Sequence, residues 1–281
     1  MMDRADFIRA VGGNDWYTGF LVRAIKPGFP TIDLMLTNES LQLTECWNLN
    51  KQGYNIYYGV ALRDHEKQPT KVRTCWLDID FKHFDDGIMN IESKMLLNLL
   101  SSGFNPNFIV KSGHGLHAYW TLDKYSTNFD RIETINRKLA LKFHGDRVHN
   151  IDRLMRLPGF FNMKHPDNPI MVEITHACHT YGKKIEELEE YLQDIEIPVL
   201  RPQTKALIAG KHADKFSSRS ERDFAAVIGM VETGYIFDEI RDVFETEPIG
   251  DKYKEKGQYA QTYLEKTFNA ACLAANVDTE I

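Results

Sequence analysis

Cysteine is scarce in this chain. Four residues, Cys46, Cys75, Cys178 and Cys272, are spread over 281 positions with no C-x-x-C pair. That spacing excludes a disulfide scaffold and makes a reducing cytoplasm the expected setting. Long apolar runs are also missing. None approaches the roughly 18 residues that a membrane-spanning helix needs, so no membrane partner is expected. The first ten residues, MMDRADFIRA, are charged and lack an apolar core, which does not fit a secretory signal. No internal repeat or low-complexity tract occurs. An excess of basic charge is missing too: 34 Lys+Arg stand against 40 Asp+Glu, a net charge of −6. The total argues against a nucleic-acid partner, but it hides an uneven distribution. Residues 101–165 hold ten Lys+Arg and five Asp+Glu, a local +5.

What remains is ordinary globular material, 43% hydrophobic and 26% charged, which excludes a disordered chain, a collagen and a coiled coil. The length suggests about two domains and a core that needs no disulfide or structural metal. Residues 3–11, 40–49, 90–100, 129–143 and 184–194 read as helices. Residues 16–25, 54–62, 72–81, 108–111, 117–122 and 171–175 read as strands. A proline-containing, polar stretch at 197–213 reads as a boundary. Beyond it, Ser218 and Glu221 form an S-x-x-E capping box. Two helices broken at Gly234 over 224–244, a polar loop at 251–257 and a helix at 259–275 follow. The expected organisation is a mixed α/β domain at 1–197, a linker at 198–213 and an all-helical unit at 214–281.

Three segments carry chemistry. In Trp76-Leu77-Asp78-Ile79-Asp80-Phe81, strand alternation puts Asp78 and Asp80 on one face and the apolar residues on the other. Two adjacent carboxylates repel unless a cation lies between them, and Mg²⁺ or Mn²⁺ prefers oxygen ligands. The plain alternative is a solvated strand face. The second segment is Lys111-Ser112-Gly113-His114-Gly115-Leu116-His117, between two strand-like runs. Its glycines allow close backbone approach, and turn N–H groups can cradle an anion; a tight hairpin is the alternative. The third runs from Asn150 to Lys164 and offers Asp152 with Arg156, Asn162 and Lys164 close behind. Taken singly, Asp152 could be a cap, and Arg156 and Lys164 surface charges. Together, three carboxylates with Arg, Lys and His form the inventory for two-metal phosphoryl transfer.

On these segments the chain resembles the archaeo-eukaryotic primase superfamily, in its single-subunit primase-polymerase form found in phages, plasmids and other mobile elements. Leu77-Asp78-Ile79-Asp80 matches the family's hydrophobic–Asp–hydrophobic–acid strand. Gly115-Leu116-His117, within SGHGLHAYW, matches the small–x–His motif that opens a strand. Ile151-Asp152 matches the third motif, and RLPGFFNMK resembles the RLPGTxNxK string of phage and plasmid members. The resemblance spans roughly residues 10–200 and keeps the order of the motifs. It implies an α/β (α+β) fold: an RRM-related, palm-like catalytic domain followed by a small helical domain, here resembled by SRSERDFAAVIGMVETGY. It implies that Asp78, Asp80 and Asp152 are the catalytic residues and bind two divalent ions, Mg²⁺ or Mn²⁺. It implies that Lys111, Ser112 and His117 hold the incoming nucleotide, with Arg156, Asn162 and Lys164 as further contacts.

The implied activity is that of a nucleotidyltransferase, a DNA primase and DNA polymerase. Such an enzyme makes primers de novo on single-stranded DNA from dNTPs or NTPs, in the replication of a phage, plasmid or other mobile element in a bacterial or archaeal host. A replicative helicase is a candidate partner. The helical unit would bind template through a local basic face around Arg219, Arg222, Lys252, Lys254 and Lys256, although residues 201–281 hold eleven Lys+Arg against fourteen Asp+Glu. The alternative is a scaffold bundle. Zinc wants ligands in two pairs, and His165, His176, Cys178 and His179 offer one convincing pair, so a structural zinc is not expected. Trp16, Tyr17, Trp120 and Phe161 could stack on bases or lie in the core.

Other functional classes compete. A relaxase-like replication initiator needs a His-hydrophobic-His pair, where this strand reads HAYW. A non-catalytic RRM-like binder has no use for three carboxylates that repel phosphate. A metal-dependent nuclease shares the two-metal logic but not the need for a triphosphate-holding turn.

Overall fold

Alternation over residues 69–80 builds the longest strand, and the protein is organised around it. The computed structural model describes residues 4–37, 39–81, 88–146, 148–178 and 182–276. The chain divides into two units, Met1–Ile195 and Glu196–Ile281.

The first unit begins with helix α1 (Arg4–Gly12), followed by strands β1 (Phe20–Ile25) and β2 (Ile32–Leu36), helix α2 (Glu39–Lys51) and strands β3 (Asn55–Gly59), β4 (Leu62–Arg63) and β5 (Pro69–Asp80). Helix α3 (Ile88–Leu100), strands β6 (Phe108–Lys111) and β7 (Gly115–Ser126) and helix α4 (Phe129–Phe143) come next. Short strands β8 (Leu154–Arg156), β9 (Phe161–Asn162), β10 (Ile170–Met171) and β11 (Glu173–Ala177) precede helix α5 (Ile185–Tyr191). Two antiparallel sheets result, in the orders β2-β1-β3-β8 and β11-β6-β7-β5-β4, with a small β9/β10 ribbon beside them.

Side chains of β7 are buried on both faces, because each face meets a different partner. On one, Trp120 stacks on Phe143 of α4, with ring centroids 6.1 Å apart. On the other, Phe7 of α1 makes edge contacts with Tyr58 of β3, Phe108 and Tyr119. The sheet with the two aspartates is thus covered by α4 on one side and by aromatics of α1 and β3 on the other, and burial of this kind is what stabilises a core. Asn136 of α4 accepts from the Trp76 backbone N–H at 3.0 Å and the Trp76 indole donates to Val148 O at 2.7 Å, so α4 and the segment after it each hold β5 by a polar bond.

The second unit comprises α6 (Pro202–Ile208), α7 (Arg219–Glu232), α8 (Phe237–Thr246), α9 (Asp251–Glu255) and α10 (Ala260–Ala274) around its own apolar core. Ser218 caps α7 by accepting from Glu221 N, while the Glu221 carboxylate accepts from both the N–H and the hydroxyl of Ser217. No described helix is long and apolar enough to cross a membrane.

The structure differs from the sequence reading in several places. Residues 16–18 form a 3-10 turn and the strand starts at Phe20. β3 and β4 are separate strands, and β2, β8 and β9 were not expected. Residues 202–208, inside the expected linker, are helical, because Pro202 sits in the first turn and Leu207 reaches the second core. Residues 251–255, expected as loop, form α9.

Candidate active site

Pairing of β5 with β7 sets the site. In an antiparallel pair, directly opposed residues share a face. The register puts Asp78 opposite His117 and Asp80 opposite Gly115, so the first two motifs are cross-strand neighbours. His117 Nε2 lies 3.5 Å from Asp78 Oδ1, and its Nδ1 lies 3.1 Å from the Tyr119 hydroxyl. The ring is only 4% exposed. Burial pushes its pKa down to about 3, with the nearby guanidinium charges of Arg156 and Arg153 acting the same way. His117 is therefore a neutral hydrogen-bonding group rather than a cation at neutral pH.

The turn between β6 and β7 is compressed against its surroundings. Ser112 N–H donates to Gly115 O at 2.9 Å. Gly113 has φ +118°, and a side chain there would meet Asn162 Nδ2 at 2.6 Å. A Cβ on Gly115 would lie 2.3 Å from Ile79 O, so glycine lets the two strands close at this point.

The third segment approaches from the other sheet. β8 pairs with β3, with Tyr57 opposite Arg156 and Gly59 opposite Leu154. Arg156 donates to Asn55 Oδ1 at 2.6 Å and stands over the Tyr57 ring at 5.0 Å. Its pKa is lowered by burial, against the opposing pull of Tyr57 and Asp78. Arg153 reaches Asp78 Oδ2 at 3.9 Å. Asp152 is paired with the buried Arg63 at 3.0 Å, and its own side chain is 65% exposed.

The expected site residues therefore fall into groups. Asp78, Asp80 and His117 share one face of a continuous sheet, and Arg156 lies near enough to act electrostatically on His117 and Asp78. Asp152 is engaged by Arg63. Among the described residues, no three His, Cys, Asp or Glu side chains converge tightly enough to hold one metal ion. Asn162 is occupied structurally: it donates to Ser112 O at 3.0 Å and accepts from Lys164 N at 3.0 Å, which ties the third segment to the glycine turn. Lys111 is paired with Glu92 at 2.6 Å. Ser112 is buried and Lys164 exposed.

Arg63, Arg153, Tyr58 and Tyr119 escaped the sequence reading. Arg153 follows Asp152 directly and Tyr119 follows His117 by two, so alternation was the available signal for the latter; β4 and β8 are too short to show any. Trp120 is fully buried and is therefore a core residue, not a base-stacking platform. Phe161 stacks on Trp47, with centroids 6.0 Å apart, and Tyr17 is exposed. In the second unit Arg222 is buried against Asp223 and Ile249 O, and Arg219 is paired with Glu255. Neither guanidinium presents a basic face of the kind expected there. His179 lies outside the described residues.

Residues 63–197 match the model of the RepB DNA-primase N-terminal domain family. No curated protein matches the chain. Similar solved structures include the archaeo-eukaryotic primase domain of the cyanophage S-2L primase-polymerase, at 19% identity and a TM-score of 0.47, over 64% of this chain and 90% of that one. The primase RepB′ is similar at 19% identity and a TM-score of 0.46, over 96% and 97%. Its catalytic domain in complex with initiator DNA is similar at 18% and 0.45, over 68% and 94%. The first unit of this chain is a mixed α/β unit built on two antiparallel sheets, and a helical unit follows it. The family match spans residues 63–197, just under half of the chain.

Proposed function

We propose that this chain is a nucleotidyltransferase that synthesises primers de novo on single-stranded DNA during the replication of a plasmid, phage or other mobile element. The observation that carries this reading is the register of β5 against β7. It presents Asp78, Asp80 and His117 together on one sheet face, beside a turn whose glycines hold it tight.

Asp78 and Asp80 suit a hard divalent cation, since both are carboxylates on one strand face. Asp152, in the turn before β8, would supply the third carboxylate after exchanging its partner Arg63. Bound there, two Mg²⁺ or Mn²⁺ ions would neutralise charge developing on the α-phosphate and the leaving pyrophosphate and favour deprotonation of the primer 3′-OH. The protein's own groups do the positioning. His117 is neutral, and a ring N–H can donate to a triphosphate oxygen without the cost of burying a cation. Arg156 and Arg153 supply positive charge near His117 and Asp78. Ser112 and Lys111 lie on the turn beside His117, with Lys111 leaving Glu92 to reach a phosphate. Asn162 holds that turn, and Lys164 brings charge to its rim.

The test is synthesis on circular single-stranded DNA with Mg²⁺ or Mn²⁺ and with dNTPs or NTPs supplied separately, beside a D78A/D80A double variant. Short products that fall by about a thousandfold or more in the variant, with the melting temperature retained, are expected. Synthesis that survives in the variant removes these carboxylates from the site. Metal-dependent cleavage of the circle without synthesis transfers the protein to the nucleases.

A further inference from the structure

Three stretches of this acidic chain contain no carboxylate side chain. Residues 16–32, 46–63 and 153–166 hold seven Lys+Arg, ten aromatic residues and no Asp or Glu, in a chain with 40 acidic residues. They carry β1, β3 and β8, and the fold pairs these strands side by side. Three runs that are distant in sequence thus become one region, free of acids and rich in rings.

At the end of the sheet where Ile25 stands opposite Asn55, the cations and rings of these runs are matched. Lys26 Nζ lies 4.2 Å from the centre of the Phe29 ring, and Phe29 is 55% exposed. Lys51 Nζ lies 5.9 Å over Trp47, whose indole stacks on Phe161 with the two planes 17° apart. Trp47 and Phe161 are half-buried, and Lys51 and Lys164 are exposed. Polar bonds fix the pieces to one another. The Asn50 amide accepts from Phe161 N–H and donates to Phe161 O, both at 2.8 Å. Lys26 donates to Gln52 O at 2.8 Å, and Asn55 accepts from Met163 N–H at 2.8 Å. The rings are therefore held in place before any ligand arrives, which lowers the entropy cost of binding.

This combination suits an unpaired nucleic-acid strand. Its phosphates are attracted by cations that no carboxylate opposes, and its bases stack on rings. A duplex hides its bases, and an acidic peptide has none. The region also leads to the candidate active site, because Arg156 of β8 bonds to Asn55 and lies near enough to Asp78 to act on it electrostatically.

We propose that this end of the sheet is where single-stranded DNA template lands: bases stack on Phe29 and on the Phe161–Trp47 pair, while Lys26, Lys51 and Lys164 meet the phosphates. This rests on the reading of the chain as a primer-synthesising enzyme. The strand then passes along β8 towards Asp78 and Asp80. Every base has a face to stack, so the landing is indifferent to sequence.

The experiment follows the anisotropy of a labelled oligo-dT of about 16 nucleotides on the full chain, without nucleotide or divalent metal, at several salt concentrations. F161A should weaken binding about tenfold and F29A about fivefold, the loss of one stacked base. K51A should weaken it about threefold and reduce the salt slope by about 0.7. Trp76 and Trp120 are buried, so quenching of indole fluorescence by the oligonucleotide should fall in W47F. D78A/D80A should bind at least as tightly as the wild type, because the landing lies outside the metal site. In synthesis, F29A should raise the template concentration needed for half-maximal rate and leave KM for the nucleotide unchanged.

Unchanged affinity in F29A and F161A overturns the proposal, even where K51A weakens binding, since charge alone then holds the strand. Equal affinity for duplex of the same length overturns it as well. Should F161A not fold, F29A decides, because its ring is exposed. Primer synthesis by the wild type, with template affinity unchanged in all three variants, removes the landing and leaves the proposed function standing. Oligo-dT binding that responds as expected, without synthesis, keeps the landing as a single-strand site and removes the primase reading.

Discussion

The strand that carries Asp78 and Asp80 is twelve residues long and runs against a twelve-residue partner, whereas the strand that follows Asp152 has three residues. The first region is held by packing. Leu77 and Ile79 are buried behind the carboxylates, and aromatic rings fill both sides of β7. The second is held by polar pairs: Arg23 with Asp33, Arg63 with Asp152, Arg156 with Asn55. Packed strands resist displacement because interiors are dense and rotamers are fixed. A carboxylate that is largely exposed exchanges its partner at small cost, and Asp152 is 65% exposed. One carboxylate pair is therefore built into the sheet, and the third carboxylate is held by a charge that can be traded.

The sharpest way to break this contrast is at Gly115. A methyl there would sit 2.3 Å from Ile79 O, backbone that cannot rotate aside, so G115A has to part β5 from β7 next to Asp80. A cost of about 3 kcal/mol is expected, read as a lower denaturant midpoint, together with loss of synthesis. A G115A protein as stable as the wild type would show that the strands need not approach this closely.

The polar region should respond instead to pH. The Arg23 guanidinium, hydrogen-bonded at 2.6 Å and 3.0 Å, and the Lys67 ammonium at 2.7 Å hold the Asp33 carboxyl down to about 2. A carboxyl whose pKa is lowered on folding adds stability above its ordinary pKa near 4 and loses it as pH falls towards 2. Discounted for solvent screening, this amounts to about 1 kcal/mol. Melting followed from pH 6 to pH 2 should show a steeper acid loss in the wild type than in D33N, with the two curves meeting at the acid end. Parallel curves would mean that the Arg23–Asp33 pair adds nothing.

The same contrast explains which parts were legible in the sequence. Alternation over Trp76 to Phe81 is long enough to announce a strand and to put Asp78 and Asp80 on one face, and SGHGLHAYW announces its partner. Both patterns are local. Trp120 misled because β7 is buried on both faces, so the period of two no longer separates core from surface. The strand LR of β4 is too short to carry a period, which hid Arg63, and Arg153 precedes the three-residue β8 and belongs to no strand. The helix at Pro202–Ile208 was hidden by composition: its proline and polar residues read as a boundary, and the burial of Leu207 is decided by α7, far along the chain. Gly113, Asn162 and Ser112 interlock through space, which no spacing rule expresses.

The smallest expected effect tests the traded charge itself. If Asp152 has to leave Arg63 before it can hold a divalent ion, removing the guanidinium should make metal binding easier, even though a favourable contact has been lost. The pair spans 3.0 Å, but Asp152 is largely exposed, so its contribution is small, well under 1 kcal/mol. R63Q should therefore lower the half-saturating Mn²⁺ concentration by about threefold, measured by calorimetry on the nucleotide-free protein. Arg63 also donates to Lys67 O at 2.9 Å, so a modest fall in melting temperature should accompany the gain, and opposite signs in the two readouts separate the effects. D152N should abolish the response to R63Q. If R63Q instead weakens Mn²⁺ binding, the guanidinium positions Asp152 for the metal rather than competing with it, and the geometry of the polar region is then fixed no less firmly than that of the packed one.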